Sequence, residues 1–454
     1  MIDGAYNNEI EEFSHQLFSS ILKEQQKFNT LKGPDEGNHH LVESELKKYQ
    51  KLKGRGFFFE YLSSGRGHGP FSEQIDGSIK YDLIGGIGPN LLGHSHPLAI
   101  KANIESATKD IVLCGNLLSY QEPFRLSQAL LDIVSNTKLK HFWLAGSGSF
   151  ANDNALKMIW QKKNPNYRLF AFEKAFAGRS VATQDITYNS DYREGMPTSI
   201  EVDHVPHFDC NKPEDSLQNT LSALDRAFKE HKKTHGAIVL ELVQGEAGFV
   251  YGTKEYYKGI CQWAKDNDLY VWIDEVQTFG RTHELFAFQM FELDEFVDIV
   301  TVGKALQACG TLFSEELNPN PGLIAGTFNG ALCALNAGEK FIRYLTNGNF
   351  YGENGRMKHL ETQFLSRLRH LSQTSCRDKI SYIGGIGTMI SFEVGDSSKE
   401  ISSNFVKELY KNGIISFTAG KEPTRIRFLL PTCLTDEHID EVFRILEKTI
   451  LEVI

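Results

Sequence analysis

The chain has 454 residues, 41% hydrophobic and 23% charged, with a formal net charge of −10. A chain this long exceeds one core, so two packed units are expected, and the acidic balance excludes a nucleic-acid partner, which needs a basic face. No apolar run approaches the roughly 18 residues that a membrane span requires. The seven cysteines are scattered, odd in number and never in a Cys-x-x-Cys pair. That usage fits a reducing compartment and offers no disulfide framework or zinc site. The opening MIDGAYNNEIEEF is acidic and has no apolar stretch, so it does not read as a secretory signal. A cytoplasmic protein without a resident metal and without a membrane partner is expected.

Residues 1–55 are polar and lysine-rich, with weak helical spacing at Ile10, Phe13, Leu17, Ile21 and Leu22, and read as a surface arm. The 54–69 stretch is punctuated by glycine, and Asp76–Gly77 marks a hairpin turn. From about 90 to 325, short apolar runs alternate with helical segments. The runs are HFWLAG (141–146), RLFAFE (168–173), AIVLELV (237–243), LYVWIDEV (269–276) and DIVTVG (298–303). A helix over 254–267, with Tyr257, Ile260, Cys261 and Ala264 on one face, separates the third from the fourth. Strands without alternation, spaced by helices, predict an α/β fold with a mainly parallel sheet covered on both faces. Past 330, a helix over 331–346 leads to a smaller α/β unit with strands within 381–394 and 425–430. The final helix starts at Thr435, a good N-cap, with Asp436 and Glu437 in its first turn. The expected division is 1–74 as arm and small-domain segment, 75–330 as the large domain, and 331–454 as the C-terminal small domain.

The stretch VWIDEVQTFGRT (271–282) ends an apolar run in two adjacent carboxylates, Asp274 and Glu275, and DIVTVGKAL (298–306) delivers Lys304. Open α/β sheets hold ligands at the carboxyl ends of neighbouring strands. An acid and a lysine meeting there suit pyridoxal phosphate, which needs a partner for its ring nitrogen and a lysine for its aldehyde. The competing reading is a buried Asp–Lys ion pair that only braces the sheet. LAGSGSFANDNALKMIWQ (144–161) follows a strand and opens a helix. Gly146, Ser147, Gly148 and Ser149 there offer N–H groups, hydroxyls and little bulk, which suits an anion at a helix N-terminus, although a plain Ser/Gly cap looks the same. A phosphate at this loop and an aldehyde at Lys304 are two ends of one molecule.

Several segments, in order, resemble motifs of one family. YDLIGGIGPNLLGHSHP (81–97) is similar to its LGHxHP segment, SGSFAN (147–152) to SGSEAN, AFAGRS (175–180) to AFHGRT and ELVQGEAG (241–248) to EPxQGEGG. IDEVQTFGRT is similar to DEVQTGFGRTG, GKAL (303–306) contains the family lysine, and GTFNG (326–330) is similar to STFGGN. From about residue 75 onward the chain therefore resembles the class III (ω-) aminotransferases of fold type I. It leans toward the lysine 6-aminotransferase and acetylornithine–ornithine groups.

The resemblance implies an enzyme dependent on pyridoxal 5′-phosphate, with Lys304 and Asp274 catalytic. Gly148 and Ser149 would hold the phosphate, Phe176 and Val276 the two ring faces, and Gln277 the ring hydroxyl. Thr327 would reach the phosphate of a neighbouring subunit, implying a homodimer with shared sites. Arg179 would grip the carboxylate of an ω-amino acid. Arg427 would take the α-carboxylate of 2-oxoglutarate, with Glu246 pairing Arg427 while the amino donor is present. Glu241 reads as a support, His94 and His96 as hydrogen-bonded turn residues, and Tyr81 and Asn90 as loose pocket candidates. The implied reaction moves a terminal amino group from a lysine-, ornithine-, acetylornithine- or 4-aminobutyrate-type donor to 2-oxoglutarate in a ping-pong cycle. An aminomutase or racemase of the same fold, or a non-catalytic relative, is the alternative. Phe150 stands where the family has Glu, and Ala177 where it has His. A glycine is also missing before Phe279, and the GGN of STFGGN becomes NGA.

Overall fold

The computed structural model describes residues 8–109 and 120–454; Cys114 lies outside them. Its central element is a seven-stranded sheet. In spatial order the strands are Leu139–Ala145, Cys309–Ser314, Ile299–Val302, Tyr270–Glu275, His235–Leu240, Arg168–Phe172 and Val202–Val205. Neighbours run parallel except around Cys309–Ser314, which is antiparallel to both strands beside it. The sequence expectation lacks that strand, because no helix separates it from the Ile299–Val302 run and the strand–helix rhythm passes over it.

Each central strand is apolar throughout because it feeds two cores. Val271 and Ile273 join Leu240, Val300, Phe286 and Leu306 on one face. Tyr270 and Trp272 join Val239, Ile299, and Leu156 and Ile159 of the Gly148–Lys163 helix on the other. Successive side chains of a strand point to opposite faces. Asp274 therefore continues the Trp272 face, toward the Gly148–Lys163 helix, and Glu275 turns to the opposite side. One register decides which carboxylate enters the site.

A second core gathers around an antiparallel sheet of Ile380–Ile386, Met389–Val394, Arg425–Leu429 and Phe417–Ala419, with helices Arg356–Gln373, Lys399–Lys411 and Asp436–Val453. Strands Ser63–His68, Phe71–Gln74 and Ile79–Asp82 form another sheet that Ile414–Ile415 completes, parallel to Ile79–Asp82. Phe71, Ile79 and Tyr81 are consequently buried in the same core as Phe392 and Phe428. The Asp76–Gly77 turn forms as expected: Gly77 has φ 81° and Asp76 accepts from Ser78 N at 2.9 Å. Tyr81 does not line the pocket; it is a core residue whose hydroxyl donates to Glu441 at 2.7 Å. The arm forms two helices, Asn8–Gln25 and His39–Lys53, with Phe13 and Leu17 exposed. Among the described residues no helix is long and apolar enough to cross a membrane.

The last helix is capped as its sequence implies. Thr435 Oγ1 accepts from His438 N at 3.3 Å, and Thr435 N donates back to His438 Nδ1 at 3.1 Å. Thr435→Ala should cost about 1 kcal/mol, seen as a lower urea midpoint at unchanged slope. An unmoved midpoint would show that the cap contributes nothing.

Candidate active site

The residues singled out around Asp274 and Lys304 converge at the carboxyl ends of the parallel strands. Asp274 lies one residue before the end of its strand, opposite Thr301, and is 5% exposed. Its Oδ2 accepts from Asn152 Nδ2 at 2.7 Å and its Oδ1 from Val276 N at 2.9 Å. Burial raises its pKa, and those two hydrogen bonds and the Lys304 charge oppose the rise. Lys304 opens a 3-10 turn after Ile299–Val302, with a left-handed φ of 47°. It forms no ion pair among the described residues. The sheet-bracing Asp–Lys pair is therefore absent, since Asn152 and Val276 already satisfy the acid. Burial first, then the charges of Arg427 and Arg281, bring the Lys304 pKa down to about 8 against the pull of Asp274 and Glu241.

Glu275, on the other face, accepts from Thr278 Oγ1 and from Phe288 N at 2.8 Å. It braces the loop behind the strand and lies outside the site. Glu241 accepts from Phe176 N at 2.7 Å and Gly245 N at 3.2 Å. It thus ties the segment bearing Phe176 to the one bearing Glu246, a support as expected from the sequence.

The loop before the Gly148–Lys163 helix is tightly built. Ser147 Oγ caps the helix by accepting from Phe150 N at 3.2 Å. A Cβ on Gly148 would sit 2.8 Å from Val276 Cγ1, and one on Gly303 3.2 Å from the same atom. Val276 is therefore seated between two glycines, and only hydrogen lets the loop close on it. Ser149 Oγ accepts from Arg179 N at 3.2 Å, which leaves its own proton to donate elsewhere. Gln277 Oε1 is buried without a hydrogen-bond partner among the described residues. An unpartnered buried amide oxygen is costly unless a ligand supplies the missing group. Thr327 is exposed on the 326–330 turn, whose Phe328 carbonyl lies 3.2 Å from where a Cβ on Gly146 would stand. Thr327 itself makes no hydrogen bond among the described residues. The unpaired lysine, the buried acid, the orphaned amide and the glycine cradle all fit a pyridoxal phosphate.

Two arginines stand in different settings and are linked through Tyr192 and Glu246. Arg179 is exposed and forms no ion pair among the described residues; its guanidinium lies 3.6 Å from the Tyr192 ring centroid and 6.0 Å from that of Phe176. Arg427 is 1% exposed. It donates to Gly245 O at 3.1 Å and approaches Glu246 Oε1 at 3.5 Å. Arg281 is fully buried without a carboxylate partner among the described residues, and donates to Gly88 O and to Thr388 Oγ1 at 3.2 Å. A Cβ on Gly88 would meet Lys304 Cδ at 3.2 Å, so the 81–97 segment abuts the lysine. His94 pairs with Asp82 at 2.8 Å and His96 accepts from Leu98 N at 3.3 Å. Both are hydrogen-bonded, but His94 sits in a β-bridge to Gly69 and His96 caps the helix Pro97–Ala107 rather than standing in a turn. Asn90 lies in that segment, its N donating to Gly85 O at 3.2 Å.

Sequence reasoning assigned nothing to Asn152, Arg281 or Tyr192. Asn152 had a usable signal, because it lies one helical turn past Gly148 and so shares its face. Arg281 and Tyr192 had none, for each acts through segments distant in the chain.

A sheet of this order, with a lysine and a buried acid at its carboxyl edge, has the make-up of a fold-type-I pyridoxal-phosphate enzyme. Residues 59–450 match the aminotransferase class-III family, and the chain belongs to it. It is 27% identical over 408 residues to an acetylornithine aminotransferase of Aquifex aeolicus, spanning 84% of this chain and 95% of that one. It is 26% identical over 409 residues to a probable 4-aminobutyrate aminotransferase of Bacillus subtilis, spanning 84% and 91%. An aminotransferase of Bacillus anthracis has the same fold, with TM-score 0.81 at 17% identity, covering 91% of this chain and 99% of that one. An ornithine aminotransferase of Toxoplasma gondii ME49 superimposes with TM-score 0.78 at 21% identity, covering 91% and 95%.

The depressed Lys304 pKa sets the pH at which its amine is a free nucleophile. In the cofactor-free chain, capture of the pyridoxal phosphate aldehyde should accelerate as pH rises through about 8. A midpoint near that of an ordinary lysine would refute the burial argument. Gly148→Ala should weaken cofactor affinity about tenfold, roughly 1.4 kcal/mol, in a fluorescence titration of the same chain. Unchanged affinity would remove the loop from the phosphate site.

Proposed function

We propose that the chain transfers the terminal amino group of an ω-amino acid to 2-oxoglutarate in a ping-pong cycle, as a homodimer. The observation that carries this reading is the pair of unlike arginines: Arg179 without an ion pair, and Arg427 with Glu246 beside it. A bidentate guanidinium suits a carboxylate. Arg179 therefore takes the carboxylate of the donor, far from the amine that reacts. With such a donor in place nothing claims Arg427, and Glu246 offsets its charge. A dicarboxylate oxo acid brings a second carboxylate, which displaces Glu246 and takes Arg427. One pocket thus serves two unlike substrates.

Pyridoxal phosphate, when bound, supplies an aldehyde for the amine and a protonated ring that withdraws electrons from the substrate carbon. Asp274 holds the proton on the ring nitrogen. Its buried carboxylate, kept in place by Asn152, would be the partner of that nitrogen. Gly148 and Ser149 receive the phosphate, Phe176 and Val276 confine the ring, and Gln277 offers its amide to the ring hydroxyl. Lys304 Nζ, with a pKa brought down to about 8, is the base that takes the proton from the substrate carbon bearing the amino group. Thr327 belongs to the partner's phosphate site in this reading, which its exposure on the 326–330 turn supports. The relatives named for acetylornithine and 4-aminobutyrate support a donor among ω-amino acids.

Mixing the loaded enzyme with lysine, ornithine, acetylornithine or 4-aminobutyrate, without oxo acid, should bleach the cofactor's absorbance band in a single turnover. Added 2-oxoglutarate should restore it. A band unmoved by every donor would refute the transferase reading, and turnover without an oxo acid would favour a mutase.

A further inference from the structure

Tyr192 touches both halves of the substrate side. It lies in the 3-10 turn Ser190–Arg193. Arg193 anchors that turn by donating to Gln184 O at 3.0 Å and Thr187 O at 2.8 Å. Lys421 ties it to the 420–423 loop through Asp191 at 2.7 Å. The Tyr192 ring seats the Arg179 guanidinium on its face at 3.6 Å. Its hydroxyl lies 3.5 Å from Glu246 Oε2, while Glu246 Oε1 lies 3.5 Å from Arg427 Nη2. Both contacts are at the long limit of a hydrogen bond, so Glu246 is shared and held firmly by neither. A cavity of about 490 Å³, lined by Tyr188, Tyr192, Glu246 and Lys421 among others, gives the Glu246 carboxylate room to swing.

We propose that Tyr192 is a positioning residue that couples the two carboxylate sites, favouring dicarboxylate over monocarboxylate ligands; this rests on the roles of Arg179 and Arg427 given above. A monocarboxylate on Arg179 leaves Glu246 against Arg427. A dicarboxylate takes Arg427 and expels Glu246, whose charge then needs another donor. Leaving it unsatisfied would cost the ligand affinity. The Tyr192 hydroxyl is within reach, and burial together with the Glu246 charge raises its pKa, so it stays protonated and able to donate. The same ring holds Arg179 by its face. The ring therefore serves every carboxylate ligand, whereas the hydroxyl serves only those with two.

The test is calorimetric titration of the loaded enzyme with glutarate and with valerate, a dicarboxylate and a monocarboxylate of equal length. Tyr192→Phe should weaken glutarate about tenfold, the scale of one hydrogen bond to a charged group, and leave valerate unchanged. Tyr192→Leu should weaken both, because Arg179 loses its seat. A phenylalanine variant that binds glutarate as the parent does, or loses both ligands equally, overturns the coupling role while the two-arginine reading stands. A parent enzyme that binds glutarate no more tightly than valerate overturns the two-arginine reading, and the coupling role with it.

Discussion

The hydrogen bond from Asn152 to Asp274, 2.7 Å long and buried, is the contact on which the rest of the site depends. A buried carboxylate must be satisfied, and the cation whose charge acts on this one is Lys304. Were Lys304 to answer, the two charges would lock together and the amine would be held protonated. Asn152 and the Val276 N–H answer instead, so the lysine stays unpaired. Asn152 also donates to Ala177 O at 2.7 Å, so the residue that satisfies the acid also fixes the backbone between Phe176 and Arg179. Arg427 and Arg281 then act on Lys304 through space, adding repulsion to the effect of burial. The result is an amine near an acid that sheds its proton far more readily than an ordinary lysine, which suits a group that must act as both nucleophile and base.

The two arginines of the substrate side differ in how their charge is balanced. Arg427 is enclosed, with Gly245 O and Glu246 close to it and its Nε left without a partner among the described residues. Arg179 is open to solvent and rests on aromatic faces. A buried cation without a counter-charge is costly, and a movable Glu246 can supply one to Arg427 until a ligand carboxylate takes its place. An exposed cation needs none, so Arg179 can wait unpaired for a ligand. Discrimination between substrates then falls on Arg427 and its neighbours, where desolvation makes each missing partner costly.

The departures from the family's motifs sort by burial. Phe150 is 60% exposed on the first turn of the Gly148–Lys163 helix, and its N–H is held by Ser147 whatever its side chain. Ala177 is buried in the core on the Trp272 face of the sheet. Its backbone, through Asn152 and Thr187, makes the contacts that position the loop. Neither change touches Asp274, Lys304 or Arg179.

Much of this was legible in the chain. Apolar runs ending in Asp274 and before Lys304, with helices between them, imply a parallel sheet with both residues at its carboxyl edge, because strand and helix periods are local. Glycines before a helix imply a tight helix-opening loop, and the Thr435 cap follows from residue types alone. What the local pattern omits are the contacts between distant segments. The antiparallel Cys309–Ser314 strand, the N-terminal strands completed by Ile414–Ile415, and the burial of Tyr81 depend on which edges pair, and nothing in a short window records that. The choice of Asp274 over Glu275 as the acid facing the site depends on which face meets the Gly148–Lys163 helix. The sequence by itself determined the chemical groups and the strand ends that present them. Tertiary packing alone decided that Asn152 satisfies the acid, that Arg281 lies buried beside Lys304, and that Tyr192 stands between two arginines, because those contacts join segments whose approach only the folded cores enforce.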